Sequence, residues 1–279
     1  MDASSRHLPS RRSAMALGLA AAGSLALGRF AQASDTPEST PFGPFHFGLQ
    51  SYSLRAFKLE EALAKTKELG LHFWESYPAH IPPDAALALP LIKKAEAEGV
   101  KVAGFGVVRF TKDTDSNRKL FEFGKAIGLT YFSADPELDS FDSLDKLVEE
   151  YGIPVGIHNH GPGHKYAEID VIAKAIKDHS PKIGCCIDTG HFLRSKEDPV
   201  RAVEVFDKRI FGVHLKDVKD AETFTILGKG DLRTVDLLKA LAKRKYSYVL
   251  ALEYEESEKN PMADLLACIE AEKKAAAGL

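Results

Sequence analysis

From Phe45 onward, short apolar runs rich in β-branched and aromatic residues alternate with longer segments whose apolar residues recur every three or four positions. Short runs of this kind are typical of buried strands, and the longer period is typical of amphipathic helices. The pattern predicts eight strands, at 45–51, 72–77, 100–108, 130–134, 153–159, 183–188, 210–216 and 246–254. Helices are predicted to follow them at about 59–69, 84–98, 140–151, 169–178, 235–243 and 261–276. Two more helices have one predicted boundary each: the third helix ends near 127, and the sixth begins near 198.

Strict alternation of strand and helix predicts an α/β fold with a parallel sheet. Eight such units close into a (β/α)8 TIM barrel, and a chain of 279 residues suits one such domain. An open doubly wound sheet is the alternative, and it usually carries a glycine-rich phosphate loop after its first strand. That position here reads Gln50-Ser51-Tyr52-Ser53, so the sequence favours a single barrel domain over residues 45–279.

The N-terminal residues have the composition of an export signal. Arg11 and Arg12 precede an apolar stretch at 14–27, which is followed by an Ala-x-Ala sequence ending at Ala33. Twin arginines, a short apolar region and such a cleavage site predict a twin-arginine signal peptide over 1–33 and a periplasmic or other extracytoplasmic location. A membrane anchor and a cytosolic helix are the alternatives, but a 14-residue stretch is short for a bilayer span. Residues 34–44, rich in Ser, Thr and Pro, are predicted to be a linker.

Charge and cysteine content narrow the range of partners. The predicted signal peptide carries a net charge of +3, so its removal takes the formal charge from −3 to −6. An acidic chain argues against a nucleic-acid partner. Cys185, Cys186 and Cys268 show no disulfide spacing, and we interpret them as small buried hydrophobic residues. The mature chain is expected to have no membrane span, and assembly into a homo-oligomer stays open.

Histidines and carboxylates occur where several predicted strands end. The active site of a TIM barrel lies at the carboxyl ends of its strands. A lone histidine at such a position is more often structural, but six titratable residues here follow that rule: Glu75, His158, His160, Asp188, His214 and Glu253. Mixed nitrogen and oxygen ligands suit a divalent transition ion such as manganese, zinc, cobalt or iron. We predict one such ion, held by His158, Asp188, His214 and Glu253.

Acid/base and substrate-binding roles are assigned to the remaining polar residues. A metal-bound imidazole has its lone pair occupied, so His160 is the better candidate for the base, with Glu253 or Glu75 on the other side of the substrate. His191, Lys216, Asn159 and His80 are candidates for substrate contacts. Glu255 lies in a charged run and is expected to be solvated, although which of Glu253 and Glu255 is the ligand stays open.

Four motifs together resemble a known family, the xylose isomerase-like (β/α)8 proteins described as sugar phosphate isomerases and epimerases. They are Ile157-His158-Asn159-His160-Gly161, Cys186-Ile187-Asp188-Thr189-Gly190-His191, Gly212-Val213-His214-Leu215-Lys216-Asp217 and Leu252-Glu253-Tyr254-Glu255. The resemblance implies a divalent ion held by a Glu, an Asp, a His and a Glu. Asp188, His214 and Glu253 match that set, and His158 stands where the family has its first Glu. The family's chemistry is proton transfer next to a sugar carbonyl, through an enediolate.

The sequence therefore predicts a metal-dependent isomerase or epimerase acting on a non-phosphorylated carbohydrate. A lyase that eliminates the aglycone from 3-keto-glycosides is the second hypothesis, because the histidine at 158 changes the acid/base set. Two hypotheses come from other classes: a non-catalytic periplasmic sugar-binding protein, and a metal-dependent DNA repair endonuclease of the same fold. The acidic charge argues against the endonuclease.

Overall fold

Eight parallel strands form a closed barrel in the computed structural model, which describes Met1 and residues 40–279. The barrel strands are β1 His46–Gln50, β2 Phe73–Ser76, β3 Lys101–Val108, β4 Tyr131–Ala134, β5 Val155–His158, β6 Ile183–Asp188, β7 Ile210–Leu215 and β10 Val249–Leu252. Around the barrel they follow the order β1-β10-β7-β6-β5-β4-β3-β2. The predicted TIM barrel is confirmed. The predicted signal peptide at 1–33 lies outside the described residues, apart from Met1.

Nine α-helices among the described residues cover the barrel. They are α1 Leu59–Glu68, α2 Ala85–Ala97, α3 Thr114–Ile127, α4 Phe141–Tyr151, α5 Ile169–Ile176, α6 Thr189–Arg194, α7 Pro199–Phe206, α8 Thr234–Lys243 and α9 Met262–Ala276. Short 3-10 turns occupy Ser51–Leu54 and Leu138–Ser140. No described helix is both long and apolar enough to span a bilayer.

Local sequence signals explain where several helices begin and end. The carboxylate of Asp84 accepts a hydrogen bond from the Leu87 amide at the start of α2, and Asp113 does the same for two amides of α3. Asp198 caps α7, whose first residue is a proline that has no amide hydrogen to leave unpaired. Gly128 and Gly152 end α3 and α4 in the left-handed conformation, with φ of 74° and 70°. The ends of α3 and α4 and the start of α7 agree with the predicted boundaries, whereas the start of α3 was not predicted.

Two apolar layers hold the barrel together. The larger layer lies between the strands and the surrounding helices and contains most of the buried aliphatic residues. A second cluster is formed by residues of β3, β4, β7 and β10: Ala103, Tyr131, Phe211, Val249 and Ala251. Side chains of the strands also fill the interior of a TIM barrel, which makes it a packed core and not a pore. Phe42, in the part of the expected linker that is described, stacks on Phe47 at 4.7 Å between ring centroids, so this part of the linker packs against the barrel.

The structure corrects several predicted boundaries on the active-site side. The fifth and eighth barrel strands are shorter than predicted, because β5 covers Val155–His158 and β10 covers Val249–Leu252. Helix α6, which the prediction missed, begins directly after β6. The segment predicted as a loop at 217–233 contains an antiparallel hairpin of β8 Asp217–Lys219 and β9 Thr223–Thr225. The carboxylate of Asp217 organises this segment by accepting hydrogen bonds from the amides of Gly228, Gly230 and Leu232 at 2.8–3.0 Å.

Candidate metal centre and its pocket

Four side chains from four neighbouring strands converge at the carboxyl end of the barrel. His158 ends β5, Asp188 ends β6, His214 lies in β7 and Glu253 follows β10. His158 Nε2 lies 3.0 Å from His214 Nδ1 and 3.4 Å from Asp188 Oδ2. His214 Nδ1 lies 3.1 Å from Glu253 Oε2. All four side chains are buried, and their nearest donor atoms lie within 4.8 Å of one another.

This donor set fits a divalent ion. Two of its oxygens, Asp188 Oδ2 and Glu253 Oε2, are buried, and each lies 3.0 Å from the ammonium of Lys216, so the two carboxylates share one positive charge. Buried ionised oxygens need a cation or a donor. Four ligands at about 2.1 Å from a tetrahedral ion lie roughly 3.4 Å apart, close to the spacing seen here. His158, Asp188, His214 and Glu253 would therefore hold the ion.

Hydrogen bonds from the neighbouring strand hold Asp188 in place. The side-chain amide of Asn159 donates to the Asp188 carbonyl at 2.9 Å, and its oxygen accepts from the Asp188 amide at 2.7 Å. Asp188 Oδ1 accepts from the His191 amide at 2.7 Å, which caps α6. Asn159 therefore has its amide engaged by the backbone, and the structure does not bring it to the pocket lining. The contacts that Asn159 makes in the structure are structural, and its expected substrate contact stays a prediction.

Beneath His214 lies Glu75, a fully buried carboxylate on β2. His214 Nε2 lies 2.9 Å from Glu75 Oε1, on the opposite side of the ring from the metal ligands. Burial alone would raise the pKa of Glu75, but His214 and the hydroxyl donors Ser133 and Tyr131 outweigh it and leave that pKa below its usual value. Glu75 is absent from the pocket lining, so its position does not support the expected acid/base contact with a substrate.

Lys216, one residue beyond the end of β7, places its ammonium among three carboxylates. Its Nζ lies 3.0 Å from Asp188 Oδ2 and 3.0 Å from Glu253 Oε2, and it also forms an ion pair with Glu255. Burial opposes the charge, but the three carboxylates raise the pKa of Lys216 above its ordinary value. Glu255, which was expected to be solvated, lines the pocket and is a quarter exposed beside Lys216.

His160 and His191 face the pocket as neutral imidazoles. Burial, together with the neighbouring histidines, lowers the pKa of His160 to about 3. Burial likewise lowers the pKa of His191 to about 4, although Asp188 opposes this. The His160 ring lies 4.6 Å from the His158 ring and 5.8 Å from the His191 ring, measured between centroids. His160 Nδ1 is buried and has no hydrogen-bond partner among the described residues. A neutral imidazole with a free lone pair can accept a proton.

The cavity above these groups has a volume of about 300 Å³. This is at the small end of the range for ligand pockets, which indicates a small ligand. Its lining combines polar groups with aromatic and apolar residues: Gln50, Tyr52, Tyr77, Pro78, Gly106, Val107, His158, His160, His191, Lys216, Glu253 and Glu255. Sequence reasoning missed Gln50, Tyr52 and Tyr77. The predicted ends of the first two strands could have indicated them, since the three residues lie at or just beyond the carboxyl ends of β1 and β2.

The remaining predicted residues lie outside this cavity. His80 is buried, with Nδ1 2.9 Å from the Ser51 hydroxyl and Nε2 3.1 Å from the Phe57 carbonyl oxygen. Both of its nitrogens are engaged away from the pocket, so the structure does not bring His80 to a substrate. All three cysteines are buried and unpaired, as expected. Cys186, however, forms a second buried donor group with Glu75 and His214 beneath the site.

Fold and site together define a (β/α)8 barrel with a histidine–carboxylate group that can hold a metal at the carboxyl ends of its strands. Residues 134–276 match the model of the xylose isomerase-like TIM barrel family, and the chain belongs to that family. These residues include all four candidate ligands. The predicted family resemblance is thereby confirmed.

Three similar proteins differ in their sequence identity to this chain and in the share of it that they cover. The chain is 27% identical over 146 residues to an inosose dehydratase of Clostridium botulinum, covering 44% of this chain and 48% of that protein, so the chain spans about half the length of this curated relative. It is 28% identical to an uncharacterised protein of Parabacteroides distasonis of known structure, with a TM-score of 0.64 over 81% of this chain and 97% of the other. A structure of L-ribulose 3-epimerase has a TM-score of 0.65 at 18% identity over 83% and 95% of the two chains, a likeness of fold alone.

Proposed function

We propose that this protein is a metal-dependent lyase that removes a proton next to the carbonyl of a non-phosphorylated carbohydrate and eliminates the group on the following carbon. The observation that carries the proposal is the position of His160, which lines the cavity beside the four convergent donors. A divalent ion bound by those donors supplies Lewis-acid polarisation of the carbonyl. Manganese, zinc, cobalt and iron all suit the donor set.

The charges around the cavity favour a substrate without phosphate. Lys216 is the cation among the lining residues, and its ammonium already faces three carboxylates. Arg109 forms an ion pair with Glu137 and is absent from the lining. Among the described lining residues, a phosphate would therefore meet Glu253 and Glu255 without a free cation to bind it. Tyr52 and Tyr77 offer aromatic surface on which the apolar face of a sugar ring can pack.

In this mechanism His160 moves the proton. Its neutral imidazole takes the proton from the carbon next to the carbonyl, which leaves an enediolate. The electron pair then forms a carbon–carbon double bond as the carbon–oxygen bond at the next carbon breaks. The imidazolium, whose pKa is low in this pocket, returns the proton to the leaving oxygen. The departing group is water or an aglycone.

Epimerisation, the first expectation from the sequence, is the second candidate. It requires a second acid/base group on the opposite side of the carbon. Glu253 is one lining carboxylate that could supply it, but Glu253 is also one of the four donors that would hold the ion, and Lys216 and His214 outweigh burial and keep its pKa below the usual value. The matched dehydratase is named for an elimination, and its similarity adds weight to the lyase. A keto-cyclitol and a 3-keto-glycoside are the substrate classes that we propose.

Incubation of metal-loaded protein with an inosose, 3-keto-glucosides and free hexoses in deuterated water, followed by NMR, tests the proposal. Elimination predicts a new double bond with release of water or aglycone. Deuterium next to the carbonyl in an intact sugar would replace the lyase by an epimerase, and no reaction would refute proton abstraction on these substrates. His160→Gln should lose at least 100-fold in turnover, the usual size of a general-base effect, while keeping its metal. His72→Gln is the matched control, because His72 lies outside the pocket lining.

We also propose that the protein is exported by the twin-arginine route. The support is the Arg11-Arg12 pair, the apolar stretch behind it and the Ala-x-Ala sequence that ends at Ala33. Replacement of both arginines by lysine should leave uncleaved precursor in the cytoplasm, detected by fractionation and mass spectrometry of the N-terminus. Cleavage and export of that variant at the normal rate would exclude this route.

A further inference from the structure

Glu75 has four hydrogen-bonding neighbours around its two carboxylate oxygens. Oε1 lies 2.8 Å from Gln50 Nε2 and 2.9 Å from His214 Nε2, and it also accepts from the Ser133 hydroxyl. Oε2 accepts from the Tyr131 hydroxyl at 2.7 Å. Both oxygens are therefore satisfied within the protein, which fixes the plane of the carboxylate. A buried network with every member satisfied is rigid.

Two glycines of β3 make this network sterically feasible. Strand β3 lies between β2, which carries Glu75, and β4, which carries the two hydroxyl donors. Glu75 is paired in register with Gly104, and Gly104 with Tyr131. A Cβ on Gly104 would lie 2.5 Å from the Tyr131 hydroxyl oxygen, and one on Gly106 would lie 2.0 Å from Ser133 Oγ. Because β3 has no side chain at these two positions, the hydroxyl groups of Tyr131 and Ser133 on β4 can contact Glu75 on β2.

The Glu75 carboxylate determines which nitrogen of His214 carries the hydrogen and which keeps its lone pair. A carboxylate is a hydrogen-bond acceptor, so His214 Nε2 must carry the hydrogen that lies between it and Glu75. The lone pair of a neutral His214 then resides on Nδ1, the atom that lies 3.0 Å from His158 Nε2 and 3.1 Å from Glu253 Oε2. Metal-ligating histidines commonly donate their other N–H to a carboxylate in this way.

We propose that Glu75 is a positioning residue, which through the Glu75–His214 hydrogen bond aims His214 Nδ1 at the metal site, and that Tyr131 and Ser133 fix Glu75 across the glycines of β3. This rests on the metal site of the proposed function and adds a role for residues that do not touch the substrate. It replaces the acid/base role expected for Glu75 from the sequence.

Metal affinity and the visible spectrum of the cobalt-loaded protein test this directly. Glu75→Gln should bind Co²⁺ about 10–100-fold more weakly by calorimetry, the usual loss when such a supporting carboxylate is removed. Its cobalt absorption bands should shift, because the His214 ring is no longer held in one orientation. Glu272→Gln is the matched control, since Glu272 is equally buried on α9 and takes no part in the network. It should keep the affinity and spectrum of the wild type.

A milder variant covers the case in which Glu75→Gln fails to fold. Tyr131→Phe removes the donor at Oε2 and leaves the His214 contact in place, so it should weaken cobalt binding several-fold in a protein whose circular dichroism is unchanged. Wild-type affinity and spectrum in either folded variant would overturn the proposal. Absence of stoichiometric cobalt from the wild type would instead refute the metal site itself.

Discussion

Asp188 performs two separate tasks with its two carboxylate oxygens. Oδ1 accepts the His191 amide and begins α6, whereas Oδ2 faces His158 and Lys216 in the candidate metal site. Asparagine retains an oxygen that can cap the helix, because Asn and Asp are comparable at this position. It loses the negative charge that a cation requires. The two tasks can therefore be separated by one substitution.

Asp188→Asn should consequently fold normally and lose stoichiometric metal. The purified variant is compared with the wild type by elemental analysis and by thermal unfolding with and without added ion. Wild-type protein should be stabilised by the ion, since a ligand that binds the native state raises its unfolding free energy, and the variant should not be. Asp113→Asn, an equivalent change at the start of α3, should keep full metal content. Full occupancy in Asp188→Asn would contradict the ligand assignment.

At the scale of elements, the sequence predicted those features that depend on local chemistry. The helix ends predicted at 127 and 151 coincide with left-handed glycines after α3 and α4, and the start predicted at 198 coincides with the aspartate cap of α7. The hairpin β8–β9 was missed because it depends on Asp217, whose carboxylate bonds to amides 11–15 residues further along the chain. A pattern of apolar and polar residues does not contain that contact.

The candidate site shows the same division between local and long-range information. Ligands at strand ends were predictable, because parallel strands end on one side of a barrel. Glu75 was placed at the right end of its strand, but its distance from the pocket depends on the register of β2, β3 and β4. The ion pair of Glu255 was not predicted, because its partner, Lys216, comes from a different strand end. The hydrogen-bond network around Glu75 joins residues from several strands, so the sequence of any single strand does not predict it.

At the scale of the whole molecule, one buried carboxylate opposes folding at high pH. Glu272 on α9 is fully buried, and neither of its oxygens has a hydrogen-bond partner among the described residues. Burial raises the pKa of Glu272 to about 8, and neighbouring Lys273 only partly offsets it. An ordinary glutamate ionises near pH 4.5, so between these values the folded chain holds a proton that the unfolded chain has released. Proton binding by the folded state stabilises it at low pH.

The free energy of unfolding contributed by this group should therefore be highest below about pH 4.5 and should fall as the pH rises to about 8. The loss amounts to about 1.4 kcal/mol for each pH unit of the shift. Glu272→Gln carries no ionisable group, so it should match the wild type near pH 5, exceed it in stability at pH 8, and show a shallower pH dependence in urea unfolding. Glu270→Gln on the same helix is the matched control, since the Glu270 side chain is exposed and water already solvates its charge. Identical pH dependence in wild type and Glu272→Gln would mean that the buried carboxylate finds a partner in solution and does not oppose folding.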